Sequence, residues 1–333
     1  MNRLRIVKGG PWVSIQDLGR PGFQRFGLSE SGAMDPVSLR IANRLVANPD
    51  GAGALEIGVL GMELVADSDP LTLSAVGPDI IWLVDGHPVA PNRSLTVERG
   101  SRVAVRPGRS SAYAYLGVRG GIQAPSIFGS VSFHGRSGVG GLDGQPLQEG
   151  SLIPVRPGTS PQLELGGPLV HGEVSADIGV IEGPQSEHFL PGVREMLVST
   201  LYRISVRSDR MGVRLEGPTL THTEKGYNIV SDGIALGSIQ VPGNGQPIVL
   251  GADRQTTGGY PKIAVIARAD MFRFAQRPPG ATVRFRPTSA EQGADGLRRL
   301  AGYFDRLVLR PVAPALNSER LLGLNLIDGG VWD

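Results

Sequence analysis

The chain is 333 residues long, with 33 basic and 31 acidic side chains, a formal net charge of +2 and no cysteine. So even a balance, with the arginines scattered rather than run together, argues against nucleic acid or an anionic membrane as a partner, and the missing thiols exclude disulfides, cysteine nucleophiles and thiolate-bound zinc. Glycine fills 48 positions and proline 26, with glycine at roughly twice its usual share, which at this length points to two domains of many short strands.

The first well-marked element is a helix. Asp35 can N-cap it with Pro36 at the first helical position, Leu39, Ala42, Leu45 and Val46 recur at helical spacing, and Asn48-Pro49 ends it. Strands follow. Leu71 to Val76 is an apolar, β-branched run closed by Gly77, and Ile80 to Val84 runs into Asp85-Gly86, a strong hairpin signal, with Pro88 in the return segment. Arg102 to Val105 alternates polar and apolar residues as a half-buried strand does, and Ala112 to Val118 reads the same way with Tyr113 and Tyr115 on one face. Pro154 to Gly172, rich in proline and glycine, is the best linker. A second helix is expected from Ser186 to about Thr200, with Phe189, Val193, Met196 and Leu197 on one face. A third, from about Ala290 to Leu307, carries Leu297, Leu300, Tyr303 and Phe304 and should pack on the body or on a partner. Gly100 to Pro107 resembles Gly280 to Pro287, a hint of two copies of one β-fold, and a barrel would protect the edges of so many short strands. Met1 to Pro11 is too short and polar for a secretory h-region, and no apolar run approaches the roughly 18 residues of a transmembrane helix, so the cytoplasm is the expected compartment.

Several familiar motifs are missing. The five histidines, His87, His134, His171, His188 and His222, are not spaced as zinc ligands and read as surface or loop residues, so no metal site is expected. Gly138-Val139-Gly140-Gly141 lacks the full dinucleotide fingerprint and reads as a loop between strands. Neither a phosphate-binding P-loop nor a G-x-S-x-G elbow occurs.

Reactive side chains concentrate among glycines in two stretches. The first, Ser14 to Gly22 with Ser31 to Asp35, holds Gln16, Asp17 and Arg20. The second runs from Ser231 to Lys262. There the apolar strand Ile248 to Leu250 opens into Asp253-Arg254-Gln255-Thr256-Thr257, five consecutive hydrogen-bonding side chains that are costly to bury unpartnered. Gly258-Gly259 lets a backbone approach a ligand closely, and Tyr260 and Lys262 add a phenol and a cation. Such a loop suits a small planar amide or carboxylate. Gln240 and Gln255 offer amide donors and acceptors, Arg254 a fork for a carboxylate, and Arg254 or Lys262 a charge for a developing oxyanion. The competing reading pairs Asp253 with Arg254 as a structural ion pair and uses Thr256 and Thr257 to cap a turn. Asp17 and Arg20 face the same alternative, since Asp-x-x-Arg is common in turns.

These stretches also carry a resemblance. Gln16 to Gly22, Ser31 to Asp35, Ala42-Asn43, Leu55-Glu56, Ser208 to Leu215 (with Arg210), Gly237 to Pro242 and Ala252 to Lys262 resemble the biotin-dependent carboxyltransferase and allophanate hydrolase subunit 2 family. That family includes the C subunit of 5-oxoprolinase, the antagonist of the sporulation kinase inhibitor, and the second half of the carboxyltransferase domain of urea carboxylase. The resemblance implies a mainly β chain with a few helices, in which two cyclophilin-like β-barrel domains stand in tandem. The first would occupy residues 1–155, a linker 156–174, the second barrel 175–288, and a helical C-terminal extension 289–333. It implies a partner related to allophanate hydrolase subunit 1, with a third lactam-binding subunit or a biotin carrier. The activity implied is ATP-dependent opening of 5-oxoproline to glutamate or a related amide hydrolysis. Its alternatives are carboxyltransfer from carboxybiotin to urea, or non-catalytic antagonism of a kinase inhibitor. No Met-Lys-Met biotin acceptor occurs, so no cofactor is expected bound covalently, and ATP or biotin belongs on the partners. The resemblance assigns catalysis to Asp253, Arg254, Tyr260 and Lys262, and substrate binding to Gln240, Gln255, Thr256, Thr257, Asp232, Gln16, Asp17, Arg20 and Arg210. It also places half of the site on another chain.

Overall fold

Alternating apolar residues in the first half of the chain build two sheets that close on one core. The structure, a computed structural model, describes residues 2–9, 12–172 and 177–313. One sheet runs in the order Leu152–Pro154, Arg3–Gly9, Met62–Asp67, Arg102–Pro107, Ile80–Val84 and His87–Val89. The other runs Val13–Gln16, Ala54–Ile57, Ala114–Val118, Leu71–Val76, Arg93–Val97, Leu163–Leu165 and Leu309–Pro311. Leu4, Ile6, Leu64, Trp82 and Val103 of the first meet Ile15, Leu55, Leu73 and Leu116 of the second. Asp85 and Gly86 both adopt positive φ (51° and 81°), the geometry of a tight two-residue hairpin, and Trp82 pairs with Val89 across it.

The strand Ala114–Val118 is buried at every position rather than half-buried. The reason is a helix on its outer face. Ala114, Leu116 and Val118 point into the inter-sheet core, while Tyr113 and Tyr115 pack with Leu39 and Ala42 of α1 (Pro36–Leu45). Asp35 caps α1 as expected, its Oδ1 accepting from the amides of Val37 and Ser38 at 3.0 and 3.1 Å.

In the second half, Ile178–Glu182, Lys262–Ile266, Ser238–Gln240, Ile248–Leu250, Gly212–Glu216, Leu201–Ile204 and Thr282–Pro287 form a closed seven-stranded barrel. The two similar segments have matching local roles. Gly100 and Gly280, at φ 92° and 87°, each turn the chain into a strand, and Val103 and Val105 enter one core as Val283 and Phe285 enter the other.

The expected helix from Ser186 to Thr200 is split. Ser186–His188 forms a 3-10 turn, Phe189 and Leu190 are extended, and α2 spans Pro191–Ser199. Pro191 disfavours helical backbone at Leu190, which sits at φ −65°, ψ 152°. The stretch read as a linker also does more than connect. Leu163–Leu165 is a strand between Arg93–Val97 and Leu309–Pro311, so it ties that later strand into the first half. α3 (Met271–Ala275) and α4 (Ala290–Asp305) follow, α4 opened by a Ser289/Gln292 capping box. α4 packs on the body: Phe304 is buried beneath the Arg40 guanidinium, 3.6 Å from its ring centroid. Of the expected C-terminal extension, residues 314–333 lie outside the described residues. A third core, with Met34, Leu39 and Tyr115 from one half and Ala252, Phe272 and Ala275 from the other, joins the halves. No helix among the described residues is long and apolar enough to cross a membrane.

Candidate functional site

At one end of the barrel a two-stranded arm pairs Asp232 with Gly258 and Gly233 with Thr257. Beneath it lies Lys262, the first residue of a barrel strand. A β-bulge between Gln240 and Ile239, which pair with Lys262 and Ala264, re-aims the strand end there. The Lys262 side chain is 2% exposed, and its Nζ donates to Asp232 Oδ2 at 2.8 Å. Gln185 brackets the pair, its Nε2 donating to Asp232 Oδ2 at 3.2 Å and its Oε1 accepting from the Lys262 amide at 3.3 Å. The hydrogen bond from Lys262, then those from Gln185 and the Gly233 amide, hold the Asp232 carboxyl below its usual range, so it is a carboxylate at neutral pH.

Two amides converge at Gly258, which pairs with Asp232 across the arm. A methyl group on Gly258 would stand 2.7 Å from Gln240 Nε2 and from Ile234 Cδ1 and 3.1 Å from Gln255 Nε2, so these side-chain ends converge on Gly258 and would have to shift for any larger residue. Gln240 is buried and makes only a long 3.5 Å bond, to the Tyr260 carbonyl. Gln255 is exposed and makes no side-chain hydrogen bond among the described residues. Tyr260 stands at the rim, 39% exposed. A buried ammonium beside two lightly engaged amides and an open phenol can hold a planar amide and stabilise negative charge forming on its oxygen.

Arg254 is near but differently occupied. It does not pair with Asp253. Its Nη2 reaches Glu30 Oε2 and Gln24 Oε1, each at 3.1 Å, and its Nε donates to the Ile234 carbonyl at 3.1 Å. Gln24 also donates to the carbonyls of Ile234 and Thr256, tying the arm to the first half. Thr256 and Thr257 thus serve the arm through their backbone, Thr256 also accepting from the Ile234 amide.

The remaining candidates form a second, buried group. Arg210 donates to both Asp253 oxygens at 2.8 and 3.0 Å, to the Gly32 carbonyl at 2.7 Å and, by a short contact, to Glu56. Glu56 is fully buried within an apolar strand and also accepts from the Met34 amide and the Tyr115 hydroxyl at 2.8 and 2.6 Å. Burial first, then the charge of Glu56, push the Tyr115 pKa upward, so it stays a donor. Ser31 donates to Asp253 Oδ1 at 2.6 Å. The Arg210–Asp253 pair borders a cleft of about 520 Å³ beside Trp12, Phe133 and Met211. Asp17 collects Gly19 N, Ser130 Oγ, Ser132 Oγ and Val131 N within 2.7 Å, organising two loops. Gln16 bonds Ser14 and the Phe133 carbonyl. Arg20 is 1% exposed and reaches the Ser132 carbonyl by a short contact.

Of the histidines expected at the surface or in loops, His134, His171 and His188 are buried. His171 matters most. Its Nε2 lies 2.7 Å from Asp35 Oδ2, which also accepts from Ser38 Oγ at 2.6 Å and from Gln276 Nε2 at 2.8 Å. Gln276 Oε1 in turn accepts from Ser111 Oγ and the amides of Ala112 and Tyr113, so one glutamine of the second half grips two segments of the first. Desolvation is the largest pull on Asp35 and acts upward, but the charge of His171 and the hydrogen bonds from His171, Gln276 and Ser38 outweigh it and hold the carboxyl below its ordinary value. A depressed folded value means stability that is full above the unfolded pKa of roughly 4 and lost as pH falls through the folded one. Wild-type Tm should therefore fall below about pH 4 more steeply than that of Asp35→Asn, and parallel curves would refute the linkage. Among the described residues, no group of three or more histidine, aspartate or glutamate side chains gathers as a metal site.

Sequence reasoning thus missed Gln185, Gln24, Glu30, Gln276 and His171 as partners of these groups. Only Glu56 left a signal, a carboxylate inside the apolar strand Ala54–Ile57.

Known proteins share this architecture. The model of the carboxyltransferase domain, subdomain A and B, matches residues 26–287. The chain is 36% identical to the C subunit of 5-oxoprolinase from Escherichia coli, over 92% of this chain and 98% of that protein. It is 30% identical to the urea amidolyase of Saccharomyces cerevisiae over 86% of this chain, but that match is 17% of the yeast protein. The crystal structure of K. lactis urea amidolyase superposes with a TM-score of 0.82 at 26% identity, over 96% of this chain and 20% of that one. With the family model matching residues 26–287, across both halves, the chain belongs to the carboxyltransferase domain, subdomain A and B, family.

Proposed function

We propose that this chain is one subunit of a heteromeric enzyme that acts on a small planar amide, in the first instance the lactam of 5-oxoproline. The observation that carries the reading is Lys262, an ammonium 2% exposed on a strand paired with Gln240, whose amide meets that of Gln255 at Gly258 opposite Asp232. In lactam opening, water adds to the ring carbonyl, the C–N bond breaks and nitrogen takes a proton. The ammonium would face the carbonyl oxygen as charge grows there. Gln240 and Gln255 would hold the planar group, and Tyr260 is placed for proton transfer at the rim. Asp232, half-exposed on the arm, would yield its place on Lys262 to the substrate oxygen. The 36% identity to an E. coli 5-oxoprolinase subunit over nearly its whole length supports this substrate. ATP would be bound by the partners, an allophanate hydrolase subunit 1-like chain and a lactam-binding subunit.

Carboxyltransfer from carboxybiotin to urea is the second reading, favoured by the family model and by the urea amidolyase relatives. Urea presents the same planar amide to the same side chains, with biotin on a separate carrier. The test is reconstitution. This chain, its partner subunits, ATP and 5-oxoproline should yield glutamate. Failure there, with carboxylation of urea in the presence of a carboxylated biotin carrier, would replace the first reading by the second. Inactivity in both would leave the regulatory antagonist.

A further inference from the structure

A cavity of about 180 Å³ opens where the second half meets α4 and the loop preceding α1. Its walls are mainly apolar, with Met34, Leu236, Met271, Phe272 and Leu300 among them. Three charged side chains also line it: Glu30, Arg254 and Arg268. Arg254 is 4% exposed and already engaged by Glu30, Gln24 and the Ile234 carbonyl. Arg268 is not. Its side chain makes no hydrogen bond or ion pair among the described residues, although it sits in a 3-10 turn whose next residues seat α3 against the barrel. Desolvation lowers its pKa, Glu30 raises it and Arg254 lowers it, so the three charges act on one another.

One carboxylate therefore faces two guanidiniums. The surplus is a single positive charge, on an arginine that is itself exposed and whose five N–H donors have no protein partner among the described residues. A carboxylate supplies what this fork lacks, two oxygens in its plane. A phosphate or dicarboxylate fits less well, since Glu30 would repel the second charge. The volume admits a body of only a few carbons. Gln240, Asp232 and Lys262 do not line the cavity, so it is separate from the amide site and does not depend on it.

We propose that this cavity binds a small monocarboxylate with an apolar body, gripped by Arg268 and backed by the Arg254–Glu30 pair. Ligand-observed NMR on the full chain tests it, with butyrate and 5-oxoproline as probes and butyramide and 5-oxoproline carboxamide as uncharged controls. At least one carboxylate should bind in preference to its amide. Arg268→Gln, which removes an exposed side chain that makes no hydrogen bond or ion pair among the described residues, should weaken that binding roughly tenfold or more. Leu300→Trp, which fills the cavity, should abolish it with the circular dichroism spectrum unchanged. Butyrate binding weakened by Arg268→Gln supports the site whether or not the assembled enzyme makes glutamate. The proposal is overturned by no carboxylate binding at roughly 10 mM, by amides binding as well as acids, or by equal binding to Arg268→Gln.

Discussion

Arg210→Ala should cost about 3–5 kcal/mol of stability, the largest loss expected from any single truncation in this chain. The side chain is nearly buried and serves three acceptors at once: the Asp253 carboxylate, the Glu56 carboxylate and the Gly32 carbonyl. Removing it strands two carboxylates that water barely reaches, since Glu56 is 0% and Asp253 7% exposed. The loss is in the uncompensated charges more than in the attraction itself. Arg210→Lys should fall between, because an ammonium is a point charge and cannot span both carboxylates and the carbonyl. Urea unfolding monitored by fluorescence measures it. A loss below about 1 kcal/mol would mean that the pair behaves like a surface ion pair.

Lys262→Met should leave the fold and the assembly intact while lowering glutamate formation by the reconstituted enzyme on the order of 10²- to 10³-fold. Methionine keeps an unbranched apolar stem of similar length at this buried position, and the carboxylate it abandons, Asp232, is 52% exposed and can turn to water. The two variants differ for that reason: Arg210 stands among buried carboxylates, whereas Lys262 faces a partner that solvent can take over. Turnover within threefold of wild type, with the heteromer intact by size-exclusion chromatography, would remove Lys262 from the chemistry.

The strands and the capped helix α1 could be read from the sequence because their signals are local: Asp35 beside Pro36, Asp85 beside Gly86, an apolar run ended by a glycine. α2 was misread across Pro191, where apolar periodicity outweighed the restriction that proline imposes on the residue before it. Full burial of Ala114–Val118 was hidden because alternation reports one buried face, and the second is covered by a helix more than sixty residues earlier in the chain. At the candidate site, Lys262, Gln240 and Asp232 could be picked out as reactive residues among glycines. Gln185 could not, since its contact with Lys262 spans 77 positions. Adjacency in sequence suggested that Asp253 and Arg254 pair. The backbone sends them to opposite neighbours, Asp253 to an arginine 43 residues upstream and Arg254 to Glu30, 224 residues upstream.

The traffic of charges between the halves also decides what kind of object this chain is. Carboxylates from the first half, Glu56, Glu30 and Asp35, meet donors from the second, Arg210, Arg254 and Gln276. A fragment ending near residue 160 would leave Glu56, Glu30 and Asp35 without their second-half donors, and the complementary fragment would keep Arg210 on Asp253 but leave Arg254 without its acid. Neither piece could shed that imbalance by folding alone. Gene fission or proteolytic nicking in the connecting stretch is therefore tolerable only while the pieces stay together, and the two halves form a single inherited unit despite having separate cores.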